Sequence, residues 1–374
     1  MKKISACSGS PELLLLAHTK TLSFEWGRSM LDAFLRQARK QNVTVRLTHH
    51  WQEVLQQHNC RLLAVIGVDR EWLDEALDQL LPAGLRVILL DGVISSAHNN
   101  ISRILSDQSA LVNDQLALLK SRGRTRTAYF GVQKNDTSDA SKAEAFLHYG
   151  VSQDVYPITE SADACFERFY ANIDRYDSVI CSNDLIAVYL LGRCRELGIA
   201  IPEQLHILGN CDLWISRHVT PALSTAAYYP DTTAAVTLQL FRNLEEFPSI
   251  CSMNVFMKAD LLDRASTEGS MPADTVPTRS GTGYQPISAL RDDTLCAELQ
   301  QIKILDQVLS ACTPAELTIL QRLCEGAAYH SIAEEVYLSI DAVKYHIKKL
   351  YRFLGIHRQQ ELARLLEHYG IRLL

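Results

Sequence analysis

Two textures divide this chain, and the change between them limits its fold more than any single residue does. From residue 12 to about 260, short apolar runs alternate with longer amphipathic segments. Strands are predicted at 13–17, 43–47, 62–67, 85–90, 128–131, 178–181 and 205–208. Helices are predicted at 24–40, 71–81 and 185–197; in the first, Met30, Phe34, Leu35 and Ala38 share one side. Strands alternating with helices imply βαβ units, hence parallel sheets covered by helices on both faces. About 250 residues of this pattern suit two such sheets rather than one. After Thr267 the texture breaks: 268–287 is rich in Gly, Pro, Ser and Thr and reads as a linker. A connecting helix at 288–309 follows, with Leu290, Leu295, Leu299, Ile302, Leu305 and Leu309 in a stripe that suits either core packing or a helical dimer contact. Residues 310–374 read as all helix.

Composition excludes several classes. With 374 residues, 47% hydrophobic and 21% charged, the chain is globular and long enough for two or three folded units. A net charge of -6 means that any contact with nucleic acid comes from a local basic patch. The ten cysteines form no Cys-x-x-Cys pair and none stands beside histidine at zinc-finger spacing, so reduced thiols are expected, with no metal site. Lys2 and Lys3 lead to Cys7 with only Ile4 as an apolar residue between, and the run 13–17 is shorter than the ~7–15 residues of a signal core. No stretch approaches the ~20 apolar residues that span a bilayer, so a cytoplasmic protein without membrane contact is expected. Gly-x-Gly-x-x-Gly, P-loop, Gly-x-Ser-x-Gly and His-Glu-x-x-His strings are all missing. No catalytic residue and no cofactor are therefore assigned.

The C-terminal segment carries the chemistry. Thr313, Pro314 and Glu316 open a helix as N-cap, first helical residue and first-turn acid. Gly326 ends it, a second helix runs to about Tyr337, and Ser339 caps a third over 341–354 that buries Val343, Ile347, Leu350 and Leu354. A fourth is predicted from Gln359 to Tyr369. On the third helix Lys344, Lys348, Lys349 and Arg352 face Asp341, a local surplus of positive charge; positions i, i+4 and i+8 lie on one face, as a major-groove helix requires.

Residues 312–363 closely resemble the LuxR/GerE-type helix-turn-helix family. The matching residues are Thr313-Pro314, Glu316, Ile319-Leu320, Gly326, Ile332-Ala333, Ser339, Val343-Lys344, His346-Ile347, Leu354-Gly355-Ile356 and Glu361. The resemblance implies that the helix after Ser339 reads the major groove and that the last helix often pairs two subunits. Cys312, Leu317, Tyr345 and Lys349 depart from the family pattern. Lys344, Lys348 and Arg352 are expected on phosphates, with Ser339 at the helix start; Asp341, Ala342, Tyr345 and Lys349 are placed for base edges. His346 is read either as a packing residue or as part of this face.

A second resemblance covers about 12–267. Ser182-Asn183-Asp184, Ala187, Gly198, Pro202, Gly209, Asp212, Pro221, Leu223, Ser224 and the closing Arg264-Ala265-Ser266-Thr267 are similar to the effector-binding domain of LacI/GalR-type repressors; Ser106-Asp107 adds to it. The resemblance implies a periplasmic-binding-protein-like α/β sensor: lobe one at about 10–122 and 226–250, lobe two at about 123–225 and 251–267, ligand in the cleft. Effector contacts carried over by position are Phe24, Asp107, Lys142, Asn183, Asp184, Cys211 and Asp212. Lys142 stands where the family has arginine, and Cys211 where an aspartate often meets sugar hydroxyls. Asn183-Asp184 reads equally as a helix cap. The expected protein is a ligand-responsive transcription regulator, a homodimer on a double-stranded DNA operator, sensing a small polar metabolite such as a sugar and controlling a transport or catabolic operon. The alternative is a sensor domain without ligand, kept as a dimerisation or partner-docking module.

Overall fold

The computed structural model describes residues 12–57, 61–91, 101–133, 135–149, 154–269 and 297–373. They divide into two units, the first drawing on 12–108, 135–141 and 228–259, the second on 109–133, 142–227 and 260–373. In chain order the first unit holds β1 (Glu12–Ala17), α1 (Thr19–Leu22), α2 (Glu25–Lys40), β2 (Thr44–Thr48), α3 (Trp51–Leu55), β3 (Leu62–Ile66), α4 (Arg70–Leu80), β4 (Arg86–Leu90) and β5 (Ile101–Ser106). The chain continues through α5 (Gln108–Ser121), β6 (Thr127–Gln133), α6 (Thr137–Tyr149), β7 (Val155–Ile158), α7 (Ala162–Tyr170), β8 (Ser178–Cys181), α8 (Asp184–Glu196), β9 (His206–Leu208), α9 (Trp214–His218) and β10 (Thr225–Ala227). It then adds α10 (Pro230–Glu246) and β11 (Asn254–Met257) to the first unit, and β12 (Asp260–Leu262) to the second.

The first unit is a six-stranded parallel sheet in the order β11-β5-β4-β3-β1-β2. β1, β3 and β4 are apolar almost throughout because both sheet faces are covered. Leu15, Ile66 and Leu90 pack with Phe34 of α2 and Phe241 of α10; Leu16, Val65 and Leu89 pack with Leu73 and Leu77 of α4. Two expected boundaries move. β11 pairs with β5, so the segment assigned to lobe two from 251 belongs to the first unit as far as Ala259. Helix α5, expected in lobe one, buries Val112 and Leu119 against Tyr129 and Phe146 of the second unit.

The second unit is a four-stranded parallel sheet, β7-β6-β8-β9, beside the antiparallel pair β10-β12. Every residue of α8 from Ile186 to Cys194 is buried, as expected of a helix that is apolar on all sides. The same unit contains α11 (Ala297–Ser310), α12 (Pro314–Cys324), α13 (Tyr329–Glu335), α14 (Ile340–Leu354) and α15 (Gln359–Tyr369). α11 is the described part of the connecting helix; 288–296 and most of the linker lie outside the described residues. Its Leu299, Ile302, Leu305 and Leu309 are buried in one apolar core with Tyr189 and Leu190 of α8, Ile215 of α9, and Leu320, Leu350, Leu366 and Tyr369. The described part of the leucine stripe is therefore core packing within the chain. Leu290 and Leu295 lie outside the described residues.

Cys165, Cys181 and Cys194 are buried free thiols; burial pushes Cys165 and Cys194 up to about 12 and Cys181 well above its ordinary value, which keeps them protonated and unreactive. Cys7, Cys60 and Cys296 lie outside the described residues. Among the described residues no helix is long and apolar enough to cross a membrane.

Because Leu305 lies in a core common to α8, α9 and the C-terminal helices, truncating it weakens all of them together. Leu305→Ala is expected to cost about 2–5 kcal/mol in urea unfolding. A loss under 1 kcal/mol, or a separate early transition of the C-terminal helices alone, would show that the core is not continuous.

Candidate nucleic-acid interface and sensor site

The C-terminal reader is assembled around one buried carboxylate. Thr313 Oγ1 accepts from the Glu316 N–H at 3.2 Å, and Glu316 Oε2 accepts from the Thr313 N–H at 3.0 Å: a reciprocal cap at the start of α12, with Pro314 as its first residue. The other oxygen, Oε1, lies 3.0 Å from His346 Nδ1 and 3.2 Å from Lys349 Nζ on α14. Burial alone would raise the Glu316 carboxyl, but the bonds from Thr313, His346 and Lys349 outweigh it and bring it down to about 2. α12 and α14 are thereby locked over the reader's small core of Ile319, Leu323, Ile332, Ala333, Val343 and Ile347.

Ser339 Oγ accepts from the Ala342 N–H at 3.1 Å and starts α14, whose inner face is Val343, Ile347, Leu350 and Leu354. Asp341, Lys344, Tyr345, Lys348 and Arg352 are exposed on the opposite side. Lys344, Lys348 and Arg352 make one stripe; Lys344 lies 3.8 Å from Asp341. Ala342 is half-buried at the head of the helix. Lys349, expected at base edges, is drawn back to Glu316 instead, and His346 takes the packing place left open by the sequence. One feature of this face has no sequence signal. Tyr337, in the turn before Ser339, has φ 54° and is 94% exposed. A bulky residue held left-handed costs about 1–2 kcal/mol, and the predicted second helix stops earlier, at Glu335, to admit it.

In the first unit, Phe24 directly precedes α2, in the loop that follows β1 and α1, and is half-buried. Asp107 follows β5, its N–H donating to Met257 O of β11 at 2.9 Å. In the second unit, the expected effector residues gather after β8 and β9. Lys142 is 3% exposed and donates to Ser182 O at 2.5 Å. Asn183 Oδ1 accepts from the Ile186 N–H at 3.1 Å, so it caps α8. Asp184 has no exposed surface: its oxygens accept from Thr225 Oγ1 at 2.6 Å and the Leu213 N–H at 2.8 Å. Burial, only partly offset by those two bonds, pushes its carboxyl up to about 8. Asp184 is thus a structural acid, and the ligand contact expected of it has no surface to act through.

Cys211 and Asp212 follow with φ 110° and 47°. The Asp212 carboxylate is held by Arg217 and by Arg264 Nη2 at 2.6 Å; burial would raise it, and the two guanidinium groups hold it below the ordinary range. Arg264 also donates to Ser216 Oγ and Leu223 O, while Ser266 Oγ donates to Ile207 O. The closing Arg-Ala-Ser-Thr is therefore a clasp between β9, β10 and α9. Arg217, Thr225 and the buried pair Gln115–Asn210, 3.1 Å apart, went unread in the sequence because each acts on residues far away in the chain.

Comparison with known proteins fits both halves. Residues 116–267 match the model of the periplasmic binding protein-like domain, and 310–366 that of the bacterial regulatory proteins of the luxR family. The chain joins a periplasmic-binding-protein-like domain to a LuxR-family helix-turn-helix domain. Similar curated proteins include the HTH-type transcriptional regulator IdnR of Escherichia coli, 26% identical over 46% of this chain and 62% of its own length, and GalS of Salmonella typhimurium, 24% identical over 51% and 58%. The chain thus spans about three fifths of the length of these relatives. Among solved structures, a LacI-type regulator of Bacillus cereus superposes with TM-score 0.59 at 14% identity, over 70% of this chain and 99% of its own. The regulator CelR in complex with cellobiose gives 0.57 at 14%, over 70% and 86%. A LacI-type regulator of Alkaliphilus metalliredigens complexed with D-xylulofuranose gives 0.54 at 17%, over 70% and 100%. These likenesses establish the fold of the sensor domain as periplasmic-binding-protein-like.

Two measurements probe the reader domain. Glu316 sits near 2 in the fold and at 4.5 when unperturbed, so the stability it adds is present above pH 4.5 and is lost as pH falls towards 2. Glu316→Gln is expected to cost about 1–3 kcal/mol at pH 7, with the gap to the native chain closing in acid; a gap that does not change with pH contradicts the locked carboxylate. Tyr337→Gly should raise stability by about 1 kcal/mol by removing the left-handed side chain, while weakening binding to DNA. Stability unchanged or lowered would mean that the turn carries no strain.

Proposed function

We propose that this protein is a ligand-responsive, DNA-binding transcription regulator. The observation that carries the reading is the exposed stripe Lys344, Lys348 and Arg352 on a capped, well-packed α14 in a LuxR-family reader domain. Two such helices, one from each subunit of a homodimer, would enter successive major grooves of a two-fold operator, ~34 Å apart. The three cations neutralise phosphates, and Asp341, Ala342 and Tyr345 face base edges. The relatives IdnR and GalS are HTH-type transcriptional regulators, which supports the same activity here. Complexes of similar folds with cellobiose and with D-xylulofuranose support a sugar as effector, and hence control of a transport or catabolic operon.

A second reading is favoured by the second unit itself. Lys142, Asp184 and Asp212 all spend polar atoms on internal partners, which suits a sensor domain without a ligand that serves dimerisation or docking. Melting the full chain against a panel of mono- and disaccharides separates the two: a concentration-dependent rise in Tm supports a sugar sensor. No rise with any of them favours the docking module.

The DNA reading is tested by incubating the full chain with fragmented genomic DNA and sequencing what it retains. A two-fold symmetric motif is expected. On that duplex, replacing Lys344, Lys348 and Arg352 by alanine together should lower affinity for all sequences and flatten the salt dependence by about one per side chain. Retention that is unaffected by the triple replacement would remove α14 as the reading helix.

A further inference from the structure

Helix α9 begins with a residue that cannot cap it. Leu213 occupies the N-cap position and offers no side-chain acceptor, although the first N–H groups of any helix need one. Asp306 supplies it: its Oδ1 accepts from the Ile215 N–H at 2.9 Å, with the residue 1% exposed. Asp306 belongs to α11, which runs through Cys312 into the cap of α12. A helix of the sensor domain is thus capped by the arm of the reader.

The same turn is gripped from the sensor side. The Leu213 N–H donates to Asp184 Oδ2 at 2.8 Å. Between β9 and this point the backbone passes through Cys211 and Asp212, consecutive non-glycine residues in left-handed conformations. Such a conformation is strained for a residue with a side chain and persists only where its surroundings hold it. Here the Cys211 N–H reaches Ala226 O at 2.9 Å, the Asp212 N–H reaches Thr225 Oγ1 at 3.3 Å, and two arginines hold the Asp212 carboxylate. Thr225 Oγ1 in turn donates to Asp184. Strand ends, strained turn and reader arm form one hydrogen-bonded sequence.

We propose that residues 211–215 are the transmission element of this regulator, a strained turn that couples the strand ends of the second unit to the position of α11 and, through it, to α14. The inference rests on the DNA-reading proposal above and adds the route. A buried carboxylate that loses an N–H donor is destabilised, so a rearrangement of the turn favours a matching movement of Asp306 that keeps the bond. α11 packs in the same core as Leu350 and Leu354 of α14, which carries the displacement to the reading helix. Coupling in equilibrium binding is reciprocal, so DNA held by α14 must act back on the turn.

Amide hydrogen exchange on the full chain tests this without knowledge of the effector. In the free protein, Asp306→Ala should speed exchange in peptides spanning 211–219 at least tenfold, and Asp306→Asn, which keeps the acceptor oxygen, should not. Addition of the two-fold duplex recovered by selection should change exchange in the same peptides by threefold or more in the native chain and in Asp306→Asn, but not in Asp306→Ala. Duplex bound with exchange in 211–219 unchanged overturns the coupling and leaves the DNA reading intact. A chain that retains no duplex overturns the DNA reading itself, and the coupling with it.

Discussion

The second unit depends on α8 being buried on every side. An ordinary helix against a sheet keeps one polar face in water, and its sequence shows that face. From Ile186 to Cys194 there is none; the only charge in that stretch is Arg193, 3% exposed. One flank lies on the sheet and the other is closed by α11 and α15 in the same core. Arg193 is tolerated because its guanidinium meets Asp163 at 2.5 Å, Glu196 at 3.0 Å and Glu298 of α11 at 3.3 Å. A buried cation needs that many partners to offset its desolvation. One of the three, Glu298, comes from α11, so the packing of the C-terminal helices adds to the compensation of this buried charge.

The end of the chain is fastened to the same helix. Arg195 donates to His368 O at 2.6 Å and Thr220 O at 2.5 Å, and the Arg372 N–H donates to His218 O at 2.6 Å. Gly370, with φ 64°, lets the guanidinium of Arg195 lie where a side chain would stand. The apolar face of α15, Leu362, Leu366 and Tyr369, is spent inside the chain. In the helix-turn-helix family that this reader resembles, the last helix often joins two subunits; here that face is occupied. In the homodimer proposed above, the two readers would be spaced by another surface, and their orientation would follow the second unit rather than a free tether.

Period and punctuation made much of this legible. β8, α12 and α15 stand where the apolar pattern and, for α12, Thr313-Pro314 put them, because local chemistry decides such elements. The short strands β10, β11 and β12 gave no signal: three or four residues are too few for a period, and their pairing with distant strands decides them. The roles of Asp306 and Arg193, and the reach of Glu316 to His346 and Lys349, were hidden for a different reason. Each carboxylate or guanidinium acts on groups far along the chain or across a helix packing that no local window contains. The helix at 185–197 was predicted, but the second layer that covers it was not, because that layer comes from helices more than a hundred residues further along the chain. Tyr337 was illegible because left-handed positions are read from Gly or Asn, and neither stands there.

The reader's electrostatics follow from Glu316. Lys344, Lys348, Lys349 and Arg352 against Asp341 sum to +3, and pairing Lys349 with buried Glu316 lowers this by one, to +2. In a chain of net charge -6, the stripe of α14 that would meet phosphates in the proposed DNA reading is Lys344, Lys348 and Arg352. In that reading, so few phosphate contacts from the helix would give weak non-specific binding and a shallow salt dependence. Discrimination among sequences would then rest on groups that touch bases or shape, and two large aromatic side chains stand exposed here, Tyr345 at 67% and Tyr337 at 94%. On the proposed reading, a helix with little charge and a fixed mounting would select by fit, which requires it to be aimed correctly before it meets DNA. The carboxylate that spends a lysine to lock α12 on α14 and the aspartate that ties α11 to the sensor serve that one requirement.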